Sequence, residues 1–162
     1  RHFADKGALL AAVAAEGFQR LSALVQQAID AHAGQPRQLL PEAGWAYVRF
    51  ALEHPDHLRV MFSNRIGDYA AYPGLLDTAM DALGRLTHAI TRAQAAGHVA
   101  PGDPFRLTLS TWAMLHGIAT LMIEQKLPGM DCSDPAAMEP VARQMLGVYF
   151  NGLQQGLPEV TP

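Results

Sequence analysis

The chain has 162 residues, a length that normally makes one domain and allows roughly two-thirds of the unfolded surface to be buried. Twelve Lys and Arg against fifteen Asp and Glu leave a net charge of −3, which excludes a nucleic-acid surface spread across the whole fold. Apolar residues make up 49% of the sequence, ample for a core and too dispersed for a membrane span; Cys132 is alone, which excludes a disulfide framework and makes a reducing cytoplasm the expected compartment.

The sequence starts without Met, and Arg1 to Leu10 reads as the tail of one structural unit running into a long helix. Asp5 is a good N-cap, because its short side chain can accept from the unpaired N–H groups of the next turn. Lys6 is then the first helical residue, where the helix dipole disfavours a cation unless an anion sits nearby. Helix N-termini also bind phosphate, so His2 and Lys6 beside one cap can grip a phosphate; a solvated lysine at an ordinary helix start explains the same residues.

The first helix is expected from about Lys6 to His32, with Leu10, Val13, Gly17, Leu21, Leu24 and Ala28 as its stripe. Pro41 and Glu42 open a second, which stops at His54 because Pro55 disfavours a helical residue before it. Pro55 and Asp56 begin a short third helix through Met61 and Phe62, and residues 63–72 read as a loop. After Pro73 and Gly74 a fourth helix places Leu76, Met80, Leu83, Thr87 and Ile90 on one face and stops at Gly97. Its Asp77, Asp81 and Arg85 read as a solvated face with room for one ion pair. Asp103-Pro104 launches a fifth helix to about Lys126, and Asp134-Pro135 repeats the device for a sixth ending near Gly156, with Pro140 sitting awkwardly inside it. Period-2 alternation is missing throughout, so the expected fold is all-α, an antiparallel bundle of about six helices.

The fifth and sixth helices carry more apolar surface than one contact face needs. Met114, Ile118 and Leu121 form one stripe of the fifth, and Val141, Met145 and Val148 one stripe of the sixth, while Gly147 and Gly152 permit close helix approach. A two-fold dimer in which these helices form a four-helix bundle would cover the surplus; a monomer burying both faces internally would do the same.

His2-Phe3-Ala4-Asp5-Lys6-Gly7-Ala8-Leu9-Leu10 resembles the junction that follows the DNA-recognition helix in TetR-family transcriptional regulators. Trp112-Ala113-Met114-Leu115-His116-Gly117 resembles the Trp-x-x-x-His-Gly signature of one class of C-terminal domains in that family. Tyr47 to Pro55, followed by Met61-Phe62, looks like the same class, so the resemblance spans residues 1–10, 47–62 and 103–123. It implies that residues 1–4 are the remnant of a helix-turn-helix domain and 5–162 an effector-binding and dimerisation domain. It further implies that Lys6 and His2 contact the DNA backbone, that Phe3 packs the helix-turn-helix core, and that a homodimer forms through the last two helices. The partners it implies are operator DNA, held by N-terminal helices this chain lacks, and a small effector, as in a ligand-responsive repressor. Gly7 departs from the family, which usually has a helix-favouring residue there.

Phe18, Tyr47, Phe50 and Met61 with Leu83, Thr87 and Ile90 supply large groups and a few polar handles, the inventory of a mostly apolar ligand site. Trp112 and His116 share a face one turn apart and serve either reading, a packed Trp beside a core His or a pair touching ligand, and Gly117 leaves space beside them. His54 and His57 are separated by the Pro55 break, and neither a metal-ligand spacing, a phosphate loop nor a nucleophile elbow is present, so neither cofactor nor enzyme is expected. Two other classes remain: a stand-alone helical binding module for apolar molecules and, more remotely, a cofactor-independent enzyme in a helical bundle.

Overall fold

A computed structural model describes residues 3–153, so His2 and the expected helix end near Gly156 lie outside the described residues. Among these residues the chain folds into six α-helices without strands: α1 (Lys6–Ala31), α2 (Pro36–Glu53), α3 (Pro55–Met61), α4 (Pro73–Ala95), α5 (Pro104–Ile123) and α6 (Pro135–Leu153). A single 3-10 turn, Tyr69–Ala71, interrupts the α3–α4 connection. The fold is thus the all-helical bundle expected from the helical periodicity and the proline and glycine punctuation.

The start of α1 is capped as its sequence requires, with Asp5 Oδ1 accepting from the Ala8 N–H at 2.7 Å. Gly7 is explained by a neighbour rather than by propensity: a Cβ there would lie 2.6 Å from the Tyr72 hydroxyl. The buried stripe of α1 is Ala11, Ala14, Phe18, Leu21, Val25 and Ile29, and of the expected stripe only Gly17 and Leu21 are buried. Alanines at many spacings make several stripes equally plausible, and packing against α2, α3 and α4 together selects among them. By length and composition α1 is apolar enough to cross a membrane, which corrects the reading of the apolar residues as too dispersed. Its apolar face is spent on the core.

Pro36, not Pro41, opens α2, and α6 opens at Pro135 with Pro140 inside it, so the same proline spacing starts both helices. Pro at the first position gives up an N–H that has no intrahelical partner, whereas Pro41 and Pro140 each forfeit a ladder bond and the helix continues through them. Asp134 Oδ1 accepts from the Ala136 N–H at 2.9 Å. The central helix is α2, packed against α1, α4, α5 and α6. Gly44 allows this, since a Cβ there would lie 3.1 Å from both Leu115 on α5 and Phe150 on α6. Across the α2–α6 contact Arg143 Nη1 donates to Glu42 at 2.7 Å, and its guanidinium lies 5.3 Å from the Trp45 ring centre.

Gly97 at φ 73° ends α4, with the His98 N–H reaching back to the Ala93 carbonyl at 2.9 Å. The same back-bonding ends α5 three residues before Lys126, with Gln125 at φ 55° where glycine is usual. Gln125 Oε1 accepts from the Cys132 N–H at 3.0 Å, so its side chain organises the following loop.

Candidate ligand cavity

The first half of α4 faces inward without meeting a helix that fills the space in front of it. A cavity of about 310 Å³ results, bounded by α1, α2, α4 and α5 and by the α3–α4 connection. From α1 it takes Phe18, Leu21, Ser22 and Val25, the i, i+3, i+4, i+7 positions of one helical face. Ala43 and Tyr47 come from α2, Trp112 and Leu115 from α5, and Phe62 and Tyr69 from the connection. Most of the wall is α4: Leu76, Ala79, Met80, Ala82, Leu83, Arg85 and Leu86. Leu76 and Met80 stay exposed because they stand at the open side, where Met80 keeps 52% of its accessible surface.

Aromatic rings hold the inner end. Phe62 meets Phe18 edge-on at 5.5 Å between ring centres, lies 5.8 Å from Trp112, and meets His116 at 4.4 Å. Tyr69 packs edge-on against Phe18 and donates its hydroxyl to the Met61 carbonyl. Polar residues on the lining are few, namely Ser22, Tyr47, Tyr69 and Arg85 beside Trp112, and the wall they share is almost wholly apolar.

Tyr47 on α2 and His116 on α5 are joined across the bundle, hydroxyl to Nδ1 at 3.0 Å. Burial pushes the Tyr47 phenol up, so it keeps its proton, and burial pushes the His116 imidazole down, so it is neutral near pH 7. A protonated phenol facing a neutral imidazole donates to Nδ1, which leaves the ring proton on Nε2. His116 thus orients Tyr47 from behind the lining instead of touching the cavity.

Of the residues expected at a ligand site, Phe18, Tyr47, Leu83 and Trp112 line this cavity. Phe50, Met61 and Ile90 do not: each is fully buried in the surrounding core, Met61 against Gly17 and Phe50 beside His54. Thr87 is turned away as well, its Oγ1 2.9 Å from the Leu83 carbonyl and from Thr108 Oγ1. Ser22 and Leu21 were legible as the helical neighbours of Phe18, and Leu76 and Met80 as the α4 stripe. Arg85 was read as solvated. It makes the expected ion pair, with Nε 2.8 Å from the exposed Asp81, and in addition lines the cavity, with Nη1 2.9 Å from Gln26 on α1. Phe62 and Tyr69 lie where no periodicity sets a face, so spacing alone did not mark them as lining.

Of the residues expected at a dimer interface, Leu121, Val148 and Gly152 are exposed, and Met114, Ile118, Val141 and Met145 are half-buried. Gly117, Gly147 and Gly152 all face open space: a Cβ at any of them would meet nothing within 4 Å. Gly117 therefore borders neither the cavity nor another helix of the chain. Lys6 is exposed at the first position of α1, and Phe3 is 40% exposed. Among the described residues no three His, Cys, Asp or Glu side chains come together as a metal site.

The chain is thus a six-helix bundle around a central helix, with an apolar cavity on one side. Residues 40–148 match the family described as tetracyclin repressor-like, C-terminal domain, and the chain belongs to that family. Domains of this kind are the sensing parts of transcriptional regulators. The chain is also similar to a solved structure of a protein with unknown function from Rhodococcus sp. RHA1, at 31% identity and a TM-score of 0.78, covering 98% of this chain and 76% of that one. None of the curated proteins matches it.

Proposed function

We propose that residues 5–162 are the effector-binding and dimerisation region of a cytoplasmic, ligand-responsive DNA-binding repressor, and residues 1–4 the end of its helix-turn-helix domain. The observation that carries this reading is the course of α1. One unbroken helix, about 39 Å long at 1.5 Å per residue, carries Lys6 at its first position and Phe18, Leu21, Ser22 and Val25 on the cavity wall. An effector entering the cavity displaces or straightens this helix, and the displacement reaches the DNA-binding heads. The effector acts only through its different affinity for the two states.

The homodimer rests on the outward faces of α5 and α6. Val148 on α6 is 73% exposed, Leu109 and Leu121 on α5 are exposed as well, and the glycines at 117, 147 and 152 leave room for close approach of a second pair of helices. Apolar side chains in that position are covered by a two-fold copy of the same surface. The dimer then spaces two heads for successive turns of operator DNA.

Lys6 tests the DNA side. In the protein with its helix-turn-helix segment, Lys6→Ala weakens binding to operator and to random DNA by similar factors, read by fluorescence anisotropy, because a backbone contact carries no sequence information. Loss confined to the operator contradicts this role. Native mass spectrometry of the protein purified without denaturation tests the sensing side, with a small apolar molecule retained per chain as the expected result. A stand-alone binding module would retain such a molecule and bind no DNA.

A further inference from the structure

Ser22 sits on the cavity wall at 7% exposure, and among the described residues its Oγ is the one buried side-chain polar atom without a hydrogen-bond partner. A serine within a helix ordinarily turns its hydroxyl back to a carbonyl of the preceding turn. This one does not, and a buried donor left unmade is costly enough that native structures rarely keep one without a reason. Its neighbours along the wall, Phe18, Leu21 and Val25, offer it nothing polar, and the Oγ itself is covered, so it reaches a ligand only when the serine side chain turns toward the cavity.

One turn further along the same face of α1, Gln26 accepts from Arg85 Nη1 at 2.9 Å. That bond ties the guanidinium to the turn after Ser22. Arg85 Nε is taken by Asp81 at 2.8 Å, while Nη2 bonds no protein group among the described residues. Arg85 is also the one charged side chain on the lining, part-exposed and already paired through Nε with the exposed Asp81.

We propose that the cavity takes an apolar molecule ending in one carboxylate, which accepts from the Ser22 hydroxyl and pairs with the Arg85 guanidinium while its body lies against Phe18, Phe62, Leu86 and Trp112. The proposal rests on the reading of this cavity as the effector site. A carboxylate suits the donors present, because charge-assisted bonds to a guanidinium are the strong ones and a second oxygen finds the serine. A phosphate would leave most of its oxygens against apolar side chains. A volume of about 310 Å³ lies at the small end of ligand sites, which suits a medium-length acyl chain or a single ring system.

The test is displacement of the neutral fluorophore N-phenyl-1-naphthylamine from the protein by decanoate and by decanol at neutral pH. In a wholly apolar pocket decanol wins, since desolvating a carboxylate without a partner is unfavourable. The expected result is the reverse, with decanoate displacing the probe at about tenfold lower concentration, equivalent to about 1.4 kcal/mol. Ser22→Ala and Arg85→Gln each remove most of that preference while decanol stays within about twofold, and Arg85→Lys keeps part of it. Unaltered probe affinity in each variant shows that the cavity has survived the substitution. Equal displacement by the two ligands, or a preference that persists in both Ser22→Ala and Arg85→Gln, overturns the carboxylate. A protein that binds neither probe nor ligand overturns the effector-site reading along with it.

Discussion

At the scale of single residues, Tyr47 and His116 show how a polar pair is kept inside an apolar bundle. The phenol donates, the neutral imidazole accepts, and each group's shifted proton affinity follows from burial. The pair has a consequence for stability. The unfolded chain protonates His116 near the ordinary 6.5, whereas the folded chain does so only at lower pH. Above about pH 6.5 the pair's contribution is therefore complete, and as pH falls below that value the unfolded state binds more protons and stability declines. Replacing the imidazole by His116→Gln flattens this decline between about pH 6.5 and 5, read as urea midpoints across that range. An equally steep decline in the variant contradicts the buried neutral imidazole. The residue scale was also where the sequence was least legible. The Trp-x-x-x-His-Gly spacing was visible, but the division of labour, with Trp112 on the lining and His116 behind it, depends on how α5 is rotated against Phe62.

At the scale of elements, the signals with a covalent cause were readable and those decided by packing were not. Asp5, Asp103 and Asp134 each cap the helix they precede, and Gly97 ends α4 in the left-handed region. The end of α5 escaped because Gln125 adopts the same conformation, held by its bond to the Cys132 N–H. The face of α1 escaped because alanines allow several stripes, and the choice is made by partners distant in sequence. Gly17 marks one such choice: a Cβ there would lie 2.6 Å from the sulfur of the fully buried Met61. Gly17→Ala gains about 1 kcal/mol of helix propensity and loses about 1–3 kcal/mol to overpacking at the α1–α3 contact, a net destabilisation. A lower denaturant midpoint with an unchanged slope is expected; a higher midpoint would mean that Met61 moves aside freely.

At the scale of the whole molecule, the surfaces left uncovered by one chain fit a dimer. The bundle and its helix order were legible from periodicity, and so was the surplus apolar surface of the last two helices, but a single chain does not contain what covers it. At micromolar concentration the protein is expected to sediment as a dimer, and Leu121→Arg with Val148→Arg to shift it to monomer while helical circular dichroism is retained. These side chains are exposed in the single chain, so their replacement leaves the core intact. A wild-type monomer would remove the α5–α6 interface from the account.

The central claim is that the cavity beside α1 governs DNA binding. Its most direct test is the anisotropy of a labelled DNA duplex selected for binding to the protein with its helix-turn-helix segment, titrated with a ligand known to occupy the cavity. The account predicts that DNA is released in step with cavity occupancy, and reciprocally that bound DNA weakens ligand binding by the same factor. DNA affinity that stays the same when the cavity is saturated contradicts it.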